Sequence, residues 1–235
     1  MKAIWSQAFT KVISPLLKDS QNARTGRVTQ SSILGHRVAL DTIFVHGEEC
    51  IIIENDAVNC FDRIIPLIAA IAFIQMGLAI GMAKFYLFFL EKARHHVIVD
   101  GKPSEEYYAH SPTTPIMGSG QGTGWAGPSW FAVSDIIFTA LNDNQPGLYL
   151  MSPDRKTTDF RTAEASVDDT RQGVNSAGAE KFNKENGTDL TVGGAANRAS
   201  QSFERYLTLT GGRLALDKTM YYALYPDQEK IPKKY

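Results

Sequence analysis

The residues of this sequence best able to do chemistry are aspartates in two short stretches. In the first, Asp56 and Asp62 follow an apolar run of isoleucines at 51–53. A carboxylate at the end of a buried strand is costly to desolvate unless it meets a cation, so Asp56 suggests a metal ion. The structural alternative is a strand that leads into a helix, with Asp62 as the N-cap residue. Taken alone, the stretch favours capping, because capping aspartates are common.

The second stretch holds the adjacent pair Asp168 and Asp169. Neighbouring side chains diverge on an extended chain, so both aspartates can serve one site only at a tight turn between two strands. Paired acids more often lie in solvent-exposed turns, and this alternative stays open.

A glycine-rich segment at 118–128 leads into an apolar, helix-like run at 130–141. Its alternating glycines let the backbone approach a ligand closely. A dinucleotide-binding loop does not fit, because no convincing strand precedes the segment and Pro128 interrupts the turn. A Walker loop does not fit either, because the Gly-Lys-Ser/Thr sequence is lacking. The segment is therefore either a structural turn or a loop that contacts a nucleotide or polymer.

Two basic features complete the set of candidates. Arg24 and Arg27 flank Gly26 in a compact cationic loop, and guanidinium groups suit phosphate oxygens. An exposed loop without a function is the common alternative. Lys218 is a single lysine within a strand-like, aromatic-rich segment at 214–225.

These residues need regular elements to position them, and the apolar periodicity predicts such elements along most of the chain. Helices are predicted over 1–20 (interrupted at Pro15), 32–44, 63–76, 81–94, 130–141 and 195–209, the last capped at Thr188-Asp189. Strands are predicted over 51–56 and 214–225, a hairpin around Asp100-Gly101, and a hairpin or loop at 148–160. Residues 107–117 are predicted to form a loop.

Composition bounds the class of protein. The chain has 235 residues, 43% of them hydrophobic, which is enough for one large or two small packed domains. Its net charge of −1 gives no overall sign of nucleic-acid binding. Cys50 and Cys60 are too sparse for a disulfide framework or a zinc cluster, and residues 1–18 lack a secretion signal. An intracellular location is expected, with no distinction between cytoplasm and nucleus.

Residues 64–83 carry no formal charge and are numerous enough to cross a bilayer. Pro66 and the glycines at 77 and 81 speak against a span, because they resemble a helix stop followed by a new start. Two buried helices are the preferred prediction, and a membrane span is the less favoured alternative.

Taken in order, these features resemble the palm domain of reverse transcriptases encoded by eukaryotic retrotransposons. The first motif of that family, an aspartate followed at the fifth position by Phe or Tyr, is matched by Asp56 and Phe61. The third motif, aromatic-x-Asp-Asp, is matched except that Ser166 replaces the aromatic residue. The other matching residues are Gly118, Gly120, Gln121 and Gly122 in the second motif (Gly-x-x-Gln-Gly), Val167, Asp168 and Asp169 in the third, Arg24, Gly26 and Arg27 in the fingers segment, and Lys218 and Thr219 in the fourth motif.

The resemblance implies an α+β fold, namely a right-hand polymerase palm whose antiparallel sheet packs on helices, with partial fingers and no thumb. Residues 1–49 would be the fingers segment, 50–225 the palm and 226–235 a frayed tail. The implied activity is that of an RNA-directed DNA polymerase, here a fingers-palm fragment that transfers dNTPs onto a primer 3′ end. The implied partners are an RNA or DNA template with its primer and dNTPs, without a membrane. Other parts of the element would supply the thumb and RNase H regions.

The same resemblance gives each site residue a role. Asp56 and Asp168 would bridge two Mg²⁺ ions, with Mn²⁺ as a possible substitute, and Asp169 would support them. Phe61 would lie under the sugar and exclude a 2′-hydroxyl, and Lys218 is a candidate general acid for the pyrophosphate leaving group. The remaining substrate-binding residues are Gln121, Gly120 and Gly122, against the template and the incoming base pair, and Arg24 and Arg27 in the fingers.

Ser166 is the main departure from the family pattern. It puts the packing of the primer in question, though not metal binding. The alternative to an active enzyme is a catalytically inactive remnant that acts as a nucleic-acid-binding or structural module.

Overall fold

The computed structural model describes residues 2–17, 21, 29–120, 123–166 and 169–225. The chain divides into two compact units, the first made of Met1–Leu16 and Asn59–Val133 and the second of Leu17–Val58 and Ser134–Tyr235. The predicted fingers (1–49), palm (50–225) and tail (226–235) are defined by function and do not correspond to these two compact units. They stay a prediction.

Helices and antiparallel strands share the described chain, which agrees with the expected mixture of α and β structure. The helices are α1 (Lys2–Ala8), α2 (Thr29–His46), α3 (Cys60–Arg63), α4 (Pro66–Gln75), α5 (Ile80–Lys92), α6 (Ala126–Asn144), α7 (Ser176–Asn186) and α8 (Val192–Leu209). The strands are β1 (Cys50–Asn55), β2 (Arg94–Val99), β3 (Lys102–Ala109), β4 (Leu148–Met151), β5 (Thr158–Arg161), β6 (Ala163–Ser166), β7 (Asp169–Asn175) and β8 (Met220–Leu224). A π-helical turn (Phe9–Ile13) and a 3₁₀ turn (Ser14–Leu16) continue α1, and Pro15 lies in the second of these.

The second unit is built on a four-stranded antiparallel sheet in the order β6-β7-β1-β8. β1 is paired on both edges and covered on both faces. Ile52 packs with Ile43 of α2 and Leu148 of β4 on one face. Ile53 packs on the other face against residues of β7, α7 and α8, among them Val174. Consecutive β-branched residues suit a strand buried on both sides, and the strand predicted at 51–56 is confirmed.

The first unit has a core of aromatic rings. Trp5 contacts Phe73 of α4, Tyr86 of α5 and Trp125, with ring centroids 5.6, 6.0 and 5.9 Å away. Tilted and edge-to-face pairs at these distances are favourable beyond the area that they bury. Burial also raises the pKa of Tyr86 to about 12, so this phenol stays neutral.

The two helices predicted in the apolar stretch 64–83 are confirmed as α4 and α5. Pro66 occupies the first turn of α4, where its missing N–H has no intrahelical partner to lose. Gly77 follows α4 with a φ of 83°, a conformation that glycine adopts without strain. In the part of the chain that the structure describes, no helix is both long and apolar enough to cross a membrane.

The hairpin predicted around Asp100-Gly101 is also confirmed. β2 pairs with β3, and the two turn residues have φ values of 50° and 76°, as a two-residue hairpin turn requires. The loop predicted at 107–117 is wrong at its start, because Tyr107 and Tyr108 pair with the histidines of β2 and extend β3 to Ala109.

Two predicted helix caps are wrong. Asp62 lies inside α3, and the N-cap position belongs to Asn59, which turns the chain with a left-handed φ of 48° that asparagine tolerates. α8 is capped by Thr191, whose hydroxyl accepts a hydrogen bond from Gly194 N. Thr188, in the predicted Thr188-Asp189 cap, instead donates to Asn183 Oδ1 and helps to close the end of α7.

The strand predicted at 214–225 is shorter in the structure. Met220–Leu224 pairs with β1 as β8, whereas the amides of Lys218 and Thr219 donate to Ala215 O in a turn. The sequence pattern also predicts no helix at α7, because that segment is strongly polar.

Asn175 ties β7, β4 and α7 together. Its Oδ1 accepts hydrogen bonds from Tyr149 N and Gly178 N at 2.8 and 3.0 Å, and its Nδ2 donates to Glu48 Oε2 and Tyr149 O at 2.6 and 2.9 Å. The side chain is fully buried. It therefore caps α7 and at the same time forms hydrogen bonds with the backbone N–H and C=O of Tyr149 in β4.

We expect Asn175→Ala to lower the free energy of unfolding by about 3 kcal/mol, because it removes an N-cap and leaves buried polar groups without partners. Urea unfolding followed by circular dichroism measures the change. Asn186→Ala, at the exposed end of the same helix, is the control and is expected to cost about 0.5 kcal/mol or less. Equal losses for the two variants would contradict the role assigned to Asn175.

Candidate active site

The register of the central sheet brings two of the predicted site residues to the same end of adjacent strands. Asn55, the last residue of β1, lies opposite Thr170 of β7. Asp56 follows Asn55 directly, and Asp169 precedes Thr170 as the first residue of β7. Residues at opposed positions of antiparallel strands are neighbours, so the two carboxylates lie at the same end of the β1–β7 pair.

A cavity of about 430 Å³ lies at this end of the two strands, within the second unit. Both aspartates line it, together with Lys218, Ser32 of α2, and Glu164 and Ser166 of β6. Side chains alternate along a strand, so Glu54 and Asp56 point to the same side of β1, and Asp169 and Arg171 share a side of β7. The result is a polar, charged cavity against one face of the sheet.

Lys218 is held at the cavity by the segment that contains it. Leu214 forms a bridge with Ala57, and Ala215 N donates to Asp56 O at 2.9 Å. Lys218 Nζ then donates to Asp56 Oδ2 at 2.8 Å. The lysine side chain is 65% exposed and that of Asp56 25%, so this ion pair contributes little to stability. Its importance lies in where it places a cation, directly beside the candidate metal ligand.

A second group of charges runs across the same face. Arg171 Nη2 contacts Glu54 Oε1 at 2.7 Å across the β1–β7 pair, and its Nη1 lies 3.8 Å from Glu164 Oε1. The partial burial of His36 of α2 lowers the pKa of its imidazole, and the nearby Arg171 guanidinium lowers it further. Glu164 and Glu54 oppose this shift, but the net direction is downward. His36 is therefore a mainly neutral side chain at neutral pH.

Two other predicted substrate-binding features meet in the first unit. Phe61 lies in α3 and is partly buried. Its carbonyl oxygen accepts a hydrogen bond from Ser119 N at 2.8 Å, and Gly118 N donates to Ile64 O at 2.8 Å. Gly118 has a φ of 79°, and a Cβ there would collide with the backbone of Asp62. The start of the glycine segment, which includes Gly120 with a φ of 70°, is thus packed against the helix that carries Phe61.

The other predicted site residues lie outside the described part of the chain. They are Asp168, Gln121, Gly122, Arg24 and Arg27. Within the described residues, no group of three or more His, Cys, Asp or Glu side chains is arranged to hold a metal ion. The roles predicted for all of these residues stay predictions.

Sequence reasoning overlooked several residues that line the cavity, among them Ser32, Glu54, Glu164 and Arg171. The one available signal was the spacing of Glu54, two positions before Asp56, which puts both on the same side of a strand. The other residues come from distant segments, and only the pairing of the strands reveals them.

No protein-family model and no curated protein matches the sequence. Telomerase from Candida albicans, solved in complex with a TWJ fragment of telomeric RNA, is similar with a TM-score of 0.51 and 11% identity, over 97% of this chain and 34% of that chain. Telomerase from Candida tropicalis, also with a TWJ fragment of telomeric RNA, has a TM-score of 0.49 and 12% identity, over 94% and 32% of the two chains.

The likeness to the Candida albicans telomerase concerns the fold alone, because the sequence identity is low. The chain spans about a third of the length of these telomerases.

We expect protonation of His36 to weaken the fold at acid pH. Its pKa in the folded state is lowered, so the unfolded chain binds a proton more readily as the pH falls below about 6.5. The stability associated with the neutral imidazole is complete above that pH and is lost as the pH falls through the lowered value. Urea titrations between about pH 7.5 and 5 measure this slope.

His36→Asn is expected to flatten the slope, since asparagine does not titrate. The control is Val45→Asn, an exposed, non-titrating position of the same helix, which is expected to leave the slope unchanged. An unchanged slope in His36→Asn would mean that His36 does not contribute to the pH dependence.

Proposed function

We propose that this chain carries the palm of a reverse transcriptase, and that the cavity beside Asp56 and Asp169 is its nucleotidyl-transfer site. The observation that carries the proposal is the position of the two carboxylates at one end of the adjacent strands β1 and β7, facing a cavity that also contains Lys218. The likeness in fold to a telomerase supports the same class of enzyme. The ordered motifs of the sequence further favour a reverse transcriptase of retrotransposon type.

The donor atoms of the cavity suit divalent cations. Asp56 and Asp169 offer hard carboxylate oxygens, which Mg²⁺ prefers, and two such residues leave coordination positions for water and for substrate phosphates. Asp168 adds a third carboxylate by its place in the sequence. Bound Mg²⁺, or Mn²⁺, would activate the primer hydroxyl and neutralise charge on the leaving pyrophosphate. The carboxylates of the chain would hold these cations in place.

The remaining residues would bind and select the substrates. Phe61 would support the sugar of the incoming dNTP, and the backbone of the glycine segment, with Gln121, would contact the template and the new base pair. Arg24 and Arg27 would meet phosphate oxygens through their guanidinium groups. The template would be RNA or DNA, and the structurally similar telomerase was itself solved with a fragment of telomeric RNA.

Lys218 would donate a proton from Nζ to the leaving pyrophosphate. Its position supports this role, because Nζ lies 2.8 Å from Asp56 Oδ2, at the candidate metal ligand. The ion pair also holds the side chain toward the cavity. A lysine serves as a general acid where its ammonium group can reach the leaving group.

We expect the protein to extend a DNA primer on an RNA template with dNTPs in the presence of Mg²⁺. Asp56→Asn and Asp169→Asn should each reduce extension by at least about 100-fold, because each removes a charged oxygen ligand for the cations. The control is Asp189→Asn, an exposed carboxylate remote from the cavity in sequence, which should leave extension unchanged.

Extension that survives both cavity substitutions would refute the site assignment. Template binding without any extension, even with Mn²⁺, would instead favour an inactive module that binds nucleic acid. The observation that favours this second candidate is Ser166, which replaces the family's aromatic residue and lies exposed at the end of β6 beside Asp169.

Replacement of Lys218 distinguishes a role as proton donor from a purely electrostatic role. We expect Lys218→Met to slow single-turnover extension by about 100-fold, because it removes the proton donor. Lys218→Arg keeps a positive charge beside Asp56, but a guanidinium does not give up its proton, so this variant should stay slow. Full recovery of the rate in Lys218→Arg would overturn the general-acid role and leave an electrostatic one.

A further inference from the structure

A second cavity, of about 390 Å³, lies along the exposed side of α8 in the second unit. The buried side of this helix packs against the sheet through residues such as Ala195 and Ala199. The opposite side is polar and carries Arg198 and Arg205, both exposed. Further side chains around the cavity are uncharged, among them Leu190, Asn197, Gln201 and Tyr206. We call this surface the α8 groove.

The charge of the α8 groove is one-sided. Two arginines line it, whereas no Asp or Glu belongs to its lining in the described part of the chain. Arg198 lies over the ring of Phe182, with the guanidinium carbon 5.1 Å from the ring centroid. Such a contact orients the guanidinium without neutralising its charge. The groove therefore attracts anions, in contrast to the cavity beside Asp56, which carries several carboxylates.

The spacing of the arginines suits a chain of phosphates. Seven residues separate Arg198 from Arg205, which corresponds to about 10.5 Å along a helix axis. Two guanidinium groups at that separation can contact two different phosphates of one strand. Partly buried Tyr206 offers an aromatic surface next to this path.

Gln145 gives the groove a buried amide oxygen that has no hydrogen-bond donor among the described residues. The residue is 8% exposed, lines the cavity, and its Oε1 accepts no hydrogen bond from any described residue. A buried amide oxygen without a donor is unfavourable, so a bound N–H or O–H group would improve its environment. Nucleobases and the ribose 2′-hydroxyl carry such donors along with the neighbouring phosphates.

We propose that the α8 groove binds the phosphodiester backbone of a single-stranded nucleic acid. Arg198 and Arg205 contact phosphate oxygens, and Gln145 with the neutral side chains contacts sugar or base. An acidic peptide would satisfy the arginines as well, and its N–H groups could donate to Gln145 Oε1, but a nucleic-acid strand also brings bases that stack on Tyr206. The proposal does not rest on the proposed polymerase activity, because it needs neither metal nor catalysis.

Fluorescence anisotropy with labelled 12-nucleotide oligo(U) and oligo(dU), in the presence of EDTA and without dNTPs, tests the proposal. For single strands each phosphate contact contributes about 0.7 to the slope of log affinity against log salt. Arg198→Ala/Arg205→Ala should therefore reduce the slope by about 1.4 and weaken binding on the order of tenfold at moderate salt. The two oligonucleotides distinguish an RNA from a DNA strand, and whichever binds should lose affinity in this variant.

The control is Arg37→Ala/Lys84→Ala, which removes the same charge from exposed positions elsewhere. It should change the slope far less. Binding is measured without metal or dNTPs, so a failure of catalysis and a failure of this groove give different results. Circular dichroism confirms that each variant is folded, and photocrosslinking with 4-thiouridine should label the peptide that contains Tyr206.

An unchanged slope in the arginine variant would overturn the proposal. So would an equal loss in the control variant, since binding would then follow net charge alone. Competition by polyglutamate as effective as that of unlabelled oligonucleotide would indicate an acidic peptide instead and would also overturn it.

Discussion

The candidate active site depends on the pairing register of β1 with β7. A slip of one residue would send Asp169 to the opposite face of the sheet and away from Asp56. Gly173 helps to fix this register, because it lies opposite Ile52 and a Cβ there would come within 2.9 Å of the Leu148 side chain and 3.0 Å of Ile52 Cδ1. A side chain at that position would require the Leu148 and Ile52 side chains to shift. Packing near the middle of the strand thus sets the position of the carboxylates at its end.

Side-chain chemistry reinforces the same register toward the cavity. Arg171 lies directly opposite Glu54 and pairs with it at 2.7 Å on the charged face. On the buried face, Asn55 Nδ2 donates to Gln172 Oε1 at 3.1 Å, and Gln172 Nε2 donates to Ala199 O of α8. Buried amides require partners, so a shifted register would leave both unsatisfied. Toward the candidate site, β1 carries an amide and carboxylates instead of isoleucines. The hydrogen bonds and the ion pair of these side chains further specify the register of β1 with β7.

Local sequence patterns predicted the parts of the fold that are locally determined. Three isoleucines sufficed for β1, and Asp100-Gly101 sufficed for its hairpin, because strand burial and turn geometry act over a few residues. The cap of α7 could not be predicted in this way, since Asn175 is held by Glu48 and Tyr149 from distant segments. The contact between Lys218 and Asp56 joins positions 162 residues apart, and the turn that allows it interrupts what looked like a continuous strand. The candidate residues could therefore be predicted from the sequence, whereas their arrangement in space could not.

The net charge of −1 argued against nucleic-acid binding only as long as the charges were counted together. Within the second unit they are separated. The cavity at the end of β1 and β7 collects carboxylates, which repel phosphate until cations offset them, whereas the α8 groove carries two arginines and no carboxylate in its described lining. Electrostatic attraction between exposed groups decays over about 8 Å at physiological salt, so a polyanion responds to local patches rather than to the sum. A nearly neutral chain can thus accommodate both the proposed metal-dependent site and the proposed phosphate-binding surface.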